Sequence, residues 1–166
     1  GAPEAYDEMV QRAGKREKPA VEVLGKIGDE RAVDTLVEYV GADLALEKAT
    51  LRALGEIGSE DATQAIANRL VADNPEIRTY AARALGRIGD ARAVDPLSDV
   101  LDDDDDDNVR ASAAWALRQI GTERALEAAS EYTDDRSYVV QNEAATAADA
   151  LSTEEPEGGP EPEAAD

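Results

Sequence analysis

The sequence predicts an all-α fold: an α-solenoid, a superhelix of stacked antiparallel helix pairs with a period of about 31 residues. Three observations predict it. The phrase Leu-Gly-x-Ile-Gly stands at Leu24–Gly28, Leu54–Gly58 and Leu85–Gly89, and in altered form at Leu117–Gly121, with spacings of 30, 31 and 32 residues. Each copy ends on a glycine, which suits the left-handed conformation that stops a helix. The glycine is followed by Asp29, Ser59, Asp90 or Thr122, all residues that cap a new helix. On both sides of the phrase, apolar residues recur at intervals of three and four, the helical period.

In chain order, residues 1–18 read as a capping helix and turn. Tyr6, Met9, Val10 and Ala13 fall at helical spacing in a helix from about Glu4 to Ala13, and the stretch from Gly14 to Pro19 breaks the pattern. Pro19 fits a first helical position, so a short helix runs from there to Ile27. Residues 19–151 form the solenoid, about four and a half helix pairs. In each pair, helix A ends in the repeated phrase and helix B follows the turn. Helix B repeats three apolar slots: Ala32, Ala62, Ala93 and Ala125; Val33, Thr63, Val94 and Leu126; Leu36, Ile66, Leu97 and Ala129. Helix A opens on Asp43 in one unit and on Asn74-Pro75 in the next, a cap followed by proline. Its buried stripe is Ala81, Ala82, Leu85 and Ile88, repeated as Ala113, Ala114, Leu117 and Ile120. Gly25, Gly55 and Gly86 lie inside helix A, where glycine costs about 1 kcal/mol relative to alanine; close helix–helix approach is the expected compensation. Arg118 stands in that slot in the fourth unit, so looser packing or an outward side chain is expected there. A last helix A runs from about Ser137 to Leu151. Residues 152–166 are acidic, rich in Pro and Gly and without apolar bulk, the composition of a disordered tail.

Composition narrows the function. The sequence has no Cys and no His, which removes thiolate chemistry, the commonest metal ligand and the usual base for a serine nucleophile. No catalytic, metal or cofactor residue is assigned, and the chain is expected not to be an enzyme. Net charge is −21, with 38 acidic residues against four lysines and 13 arginines. Nucleic acid binding is disfavoured, because phosphate contacts need clustered cations. No apolar run approaches the ~20 residues of a membrane span; a cytoplasmic monomer is expected. The acid-rich, lysine-poor, phenylalanine-free composition resembles that of proteins from salt-loving archaea. At ~1 M salt the Debye length is only about 3 Å, so in such a cytoplasm net charge describes the solvent more than the partner.

Residues 77–90, with the helix B opening Ala91 to Leu97, resemble the HEAT-like repeats first associated with phycobilisome bilin lyases. The resemblance covers about Pro19 to Leu151. It implies stacked helix pairs with helix B lining the inner, concave side, and a family of scaffolds, adaptors, bilin-lyase subunits and a di-iron hydroxylase. That hydroxylase holds iron with His-Glu pairs, so its activity does not carry over to a chain without histidine. The resemblance also implies that Arg78, Arg110 and Asp90 belong to a ladder of ion pairs between repeats, left incomplete by Glu47 and Gln141, and that Trp115 covers a neighbouring helix.

Two features remain. The run Asp102 to Asp107 invites a calcium reading, but an EF-hand-like loop would place Gly at Asp107 and Glu at Ala113, and both fail; a solvated, lengthened loop between repeats is expected. Helix B presents polar rows, from which Arg31, Thr35, Glu38, Asn68, Arg69, Arg92, Asp99, Arg124 and Glu131 are the candidate partner-binding residues. Local pairs of Arg31 with Asp34, Arg92 with Asp95 and Arg124 with Glu127 are also expected on this face. The function expected from these features is a non-catalytic scaffold holding another protein on the helix B face. The alternative is an accessory subunit or lyase-like protein handling a tetrapyrrole or other small ligand.

Overall fold

The computed structural model describes residues 2–154, all-helical with no strand among them. Helix α1 (Ala2–Gly14) packs on the first pair, α2 (Lys18–Ile27) and α3 (Val33–Val37). The pairs α4 (Leu44–Ile57) with α5 (Thr63–Ala67), α6 (Pro75–Ile88) with α7 (Val94–Asp103), and α8 (Asp107–Ile120) with α9 (Glu123–Ser130) follow. Helix α10 (Tyr138–Glu154) closes the described chain. The architecture is the α-solenoid the repeats predict. The acidic tail expected at 152–166 lies, from residue 155 onward, outside the described residues.

Each helix A ends on its repeated glycine. Gly28, Gly58, Gly89 and Gly121 have φ of 71°, 76°, 75° and 69°, and each amide donates to the carbonyl of Leu24, Leu54, Leu85 or Leu117. Left-handed backbone is easy only for glycine, so the turn to helix B comes at the same place in every unit. Asp29, Asp90 and Thr122 then accept backbone N–H groups as caps; the Ser59 side chain makes no such bond. Three of the four B helices open with a 3-10 turn, at Glu30–Ala32, Glu60–Ala62 and Ala91–Ala93. The three apolar slots of helix B are all buried, as expected.

The A helices α2, α4, α6, α8 and α10 stack on one another, and the B helices pack chiefly on the A layer. The internal glycines explain the closeness. A Cβ on Gly25 would lie 2.7 Å from Ala53 Cα, one on Gly55 2.9 Å from Ala84 Cα, and one on Gly86 2.8 Å from Ala116 Cα. Each glycine is thus a notch that receives the backbone of the next helix A. At the last step Arg118 replaces the notch, turns aside and donates to Glu143 on α10 at 2.8 Å.

Candidate functional site

The nine candidate residues sit where the repeat predicts, in the helix B layer, and the structure divides them by what their side chains do. Arg31 forks onto Asp29, with Nε at 2.9 Å from Oδ1 and 3.0 Å from Oδ2, and lies 4.2 Å above the Tyr6 ring. Arg92 donates to Asp90 at 2.8 Å and to the Glu60 carbonyl at 3.0 Å. Arg124 reaches back one repeat to Asp95. Half-buried Arg69 donates to Glu47 at 2.6 Å, and the same carboxylate receives the Gly41 amide. None of these forms the expected local pair with Asp34, Asp95 or Glu127: capping and cross-repeat carboxylates lie closer. The other candidates are open. Glu38, Asp99 and Glu131 are exposed and make no hydrogen bond or ion pair among the described residues; Asn68 is exposed and accepts from Gln64; Thr35 is half-buried.

The ladder between repeats is present on the edge where helix A begins. Arg78 grips Asp104 of the next joint through Nε (2.7 Å) and Nη2 (2.9 Å). Arg110 grips Asp135 one unit on, at 3.1 and 2.9 Å. Where the arginine is replaced, Glu47 takes Arg69 and Gln141 donates to the Asp135 carbonyl. Asp90 closes a second cross-repeat contact by accepting the Thr63 hydroxyl at 2.7 Å. The Arg92 guanidinium holds the Asp90 carboxyl down to about 2, against the opposing effect of burial, with further help from the Arg92 amide and Thr63.

The aspartate run is not simply solvated. The Asp104 side chain is 7% exposed, and this burial alone would raise its pKa, but Arg78 and the Asp106 amide outweigh burial and lower it. Asp106 caps α8 by accepting from Asn108 and Val109, Asp107 takes Arg110 and Arg136, and Asp102 receives the Tyr132 hydroxyl. Burial, then the Asp102 bond, pushes the Tyr132 phenol up. The run is a joint in which four of the six carboxylates are engaged, while Asp103 and Asp105 are exposed and make no side-chain hydrogen bond or ion pair among the described residues. Among the described residues no group of three or more acidic side chains is placed to hold a metal ion.

With this geometry in hand, the sequence matches a family model for HEAT repeats over residues 18–77, 42–118 and 66–149. The chain belongs to the HEAT-repeat family. A search of curated proteins gave no match. Among solved structures, the HEAT stack is similar to a chain of the CpcE–CpcF complex of phycocyanin lyase from Nostoc sp. PCC7120, with TM-score 0.69 and 25% identity over 82% of this chain and 59% of that one. The chain thus spans less than two thirds of that structure's length. It is also similar to human deoxyhypusine hydroxylase (TM-score 0.57, 19% identity, 92% of this chain and 75% of that). A designed armadillo repeat protein in complex with the peptide (KR)4 gives TM-score 0.57 and 19% identity, over 81% and 74%. The last two likenesses show the fold alone.

One feature of this HEAT stack escapes the sequence reading. Ten of the 13 arginines form ion pairs, and Arg16 lies 5.9 Å from the centre of the Tyr39 ring. Arg83 and Arg87 are exposed and have no partner among the described residues. Only coordinates show which cations are left unpaired; their i,i+4 spacing on one helix was the available clue.

Proposed function

We propose that this chain is a non-catalytic scaffold that holds another protein along its helix B layer, in a cytoplasm of high salt. The observation that carries the reading is the row Glu38, Asn68, Asp99 and Glu131. It offers one exposed side chain per repeat, and its three carboxylates have no partner among the described residues. Arg31, Arg69, Arg92 and Arg124 brace the layer behind that row, and Thr35 lies beside it. A row of this kind suits a partner segment bearing cations at repeat spacing. The designed armadillo protein in complex with (KR)4 is a likeness of shape for such an arrangement. The absence of His and Cys supports a role without catalysis. A pull-down in high KCl compares the chain with Asp99→Lys/Glu131→Lys and with Arg92→Glu/Arg124→Glu. A protein retained by the parent and lost by the first variant supports this row; the second is expected to weaken binding less. Retention by both variants removes the helix B layer from the reading.

A second reading is favoured by the likeness to the phycocyanin lyase complex: an accessory subunit handling a tetrapyrrole or other small ligand. It predicts a coloured, stable complex on adding a bilin, and a colourless chain after gel filtration sinks it.

A further inference from the structure

The unpaired Arg83 and Arg87 share a groove with the chain's single tryptophan. Trp115 lies across the notch at Gly86, where an added Cβ would stand 2.6 Å from indole Cζ3. On α6 that notch is flanked by Arg83, three residues before it, and Arg87, one after. On α8, Ser112 and Asn108 continue the lining toward the N-terminus, and Val139 and Glu143 on α10 form the far wall. The groove measures about 330 Å³. Glu143 is tied to Arg118 and neutralises neither free arginine. Val139 is 57% exposed, and its neighbour Tyr138 is 78% exposed.

We propose that this groove in the helix A layer binds an extended acidic segment of a partner protein, one that also carries an apolar side chain. An apolar or cationic occupant would strip water from two guanidinium groups and return no charge-assisted hydrogen bonds, so it is disfavoured. A carboxylate returns two parallel N–H···O bonds per arginine. The indole face and Val139 accept the apolar side chain, and Trp and Arg are both among the residues enriched at interface anchors. The lining is drawn from three successive helices spaced about 8–10 Å apart, which suits an extended chain crossing them. Charge complementarity decides the partner: in a chain of net charge −21, two of the three arginines without an ion pair among the described residues line this one groove. These residues are distinct from the helix B row, so either site can fail without the other.

Because Trp115 is the only tryptophan, its emission reports on the groove in the whole protein. The test titrates the purified full chain with a short acidic peptide bearing a central leucine, with its basic counterpart, and with free glutamate, in low and in molar KCl. A saturable emission change is expected with the acidic peptide alone, with binding at least about tenfold weaker in Arg83→Gln/Arg87→Gln. Circular dichroism of that variant is expected to be unchanged, since both side chains lack partners among the described residues. No saturable change, or an equal one in the variant, overturns the proposal. An equal response to free glutamate overturns the peptide in favour of a small carboxylate. Binding seen only in a chain ending at Glu154 overturns the partner in favour of the acidic residues 155–166 of the chain itself.

Discussion

The A and B layers are cut from one sequence at one period and hold themselves together differently. In the A layer, glycine notches at 25, 55 and 86 bring each helix onto the backbone of the next, and Arg78 and Arg110 sit among buried carboxylates at the joints. In the B layer, short helices are pinned to the A layer by small apolar residues, and the ion pairs are open to water; Arg124 and Asp95 are 70% and 67% exposed. Where neighbours interlock through the backbone, side chains have little latitude to vary. Where they stand apart, side chains are free to be chosen for a partner.

The sharpest test of that difference is Arg110→Ala. The Arg110 side chain is 5% exposed and faces Asp135 at 10%; its removal leaves a carboxylate in a poorly hydrated joint. A loss of about 3 kcal/mol is expected in urea unfolding, and a loss below about 1 kcal/mol would erase the contrast between layers. Next in size is Gly55→Val, which forces side-chain atoms against Ala84 and is expected to lose about 2 kcal/mol by overpacking. Gly14, with nothing within 4 Å of an added Cβ, is its control: Gly14→Ala is expected to be neutral or slightly stabilising.

The turn between the layers has its own readout in acid. Asp90 titrates near about 2 in the folded protein, against about 3.9 in an unfolded chain. Its contribution is complete above pH ~4 and is lost as pH falls through its folded value. Asp90→Asn is therefore expected to lower stability at neutral pH and to flatten the fall in thermal midpoint between about pH 4 and 2. An unchanged slope would show that the Arg92 bond does not persist in solution. The smallest effect belongs to the B layer: a double-mutant cycle on Arg124 and Asp95 is expected to give a coupling below about 0.5 kcal/mol, vanishing in molar salt. A coupling above 1 kcal/mol would make the B-layer pairs structural.

The backbone plan was legible because it depends on residues acting locally. Glycine at 28, 58, 89 and 121 sets the turns, and Asp43, Asn74 and Thr122 accept the expected capping bonds at 3.2, 2.8 and 3.3 Å. The helix-interior glycines also betrayed the close approach. Partners of long side chains were not legible: Arg31 and Arg124 chose Asp29 and Asp95 over carboxylates three residues on, since a guanidinium goes to whichever acceptor the fold brings near. The unpaired Arg83 and Arg87 were invisible for the same reason.

The hydrogen bonds that join one repeat to the next link residues between 25 and 32 positions apart, from Arg110 with Asp135 to Arg92 with Glu60. Folding therefore closes no loop much longer than one unit, and each closure is rewarded at once by a notch and a joint. Such a chain can begin folding at any pair and lengthen from there, and can open from its ends without losing its middle. The weak step at Arg118, where the notch is missing, is then the place where the last helix parts first.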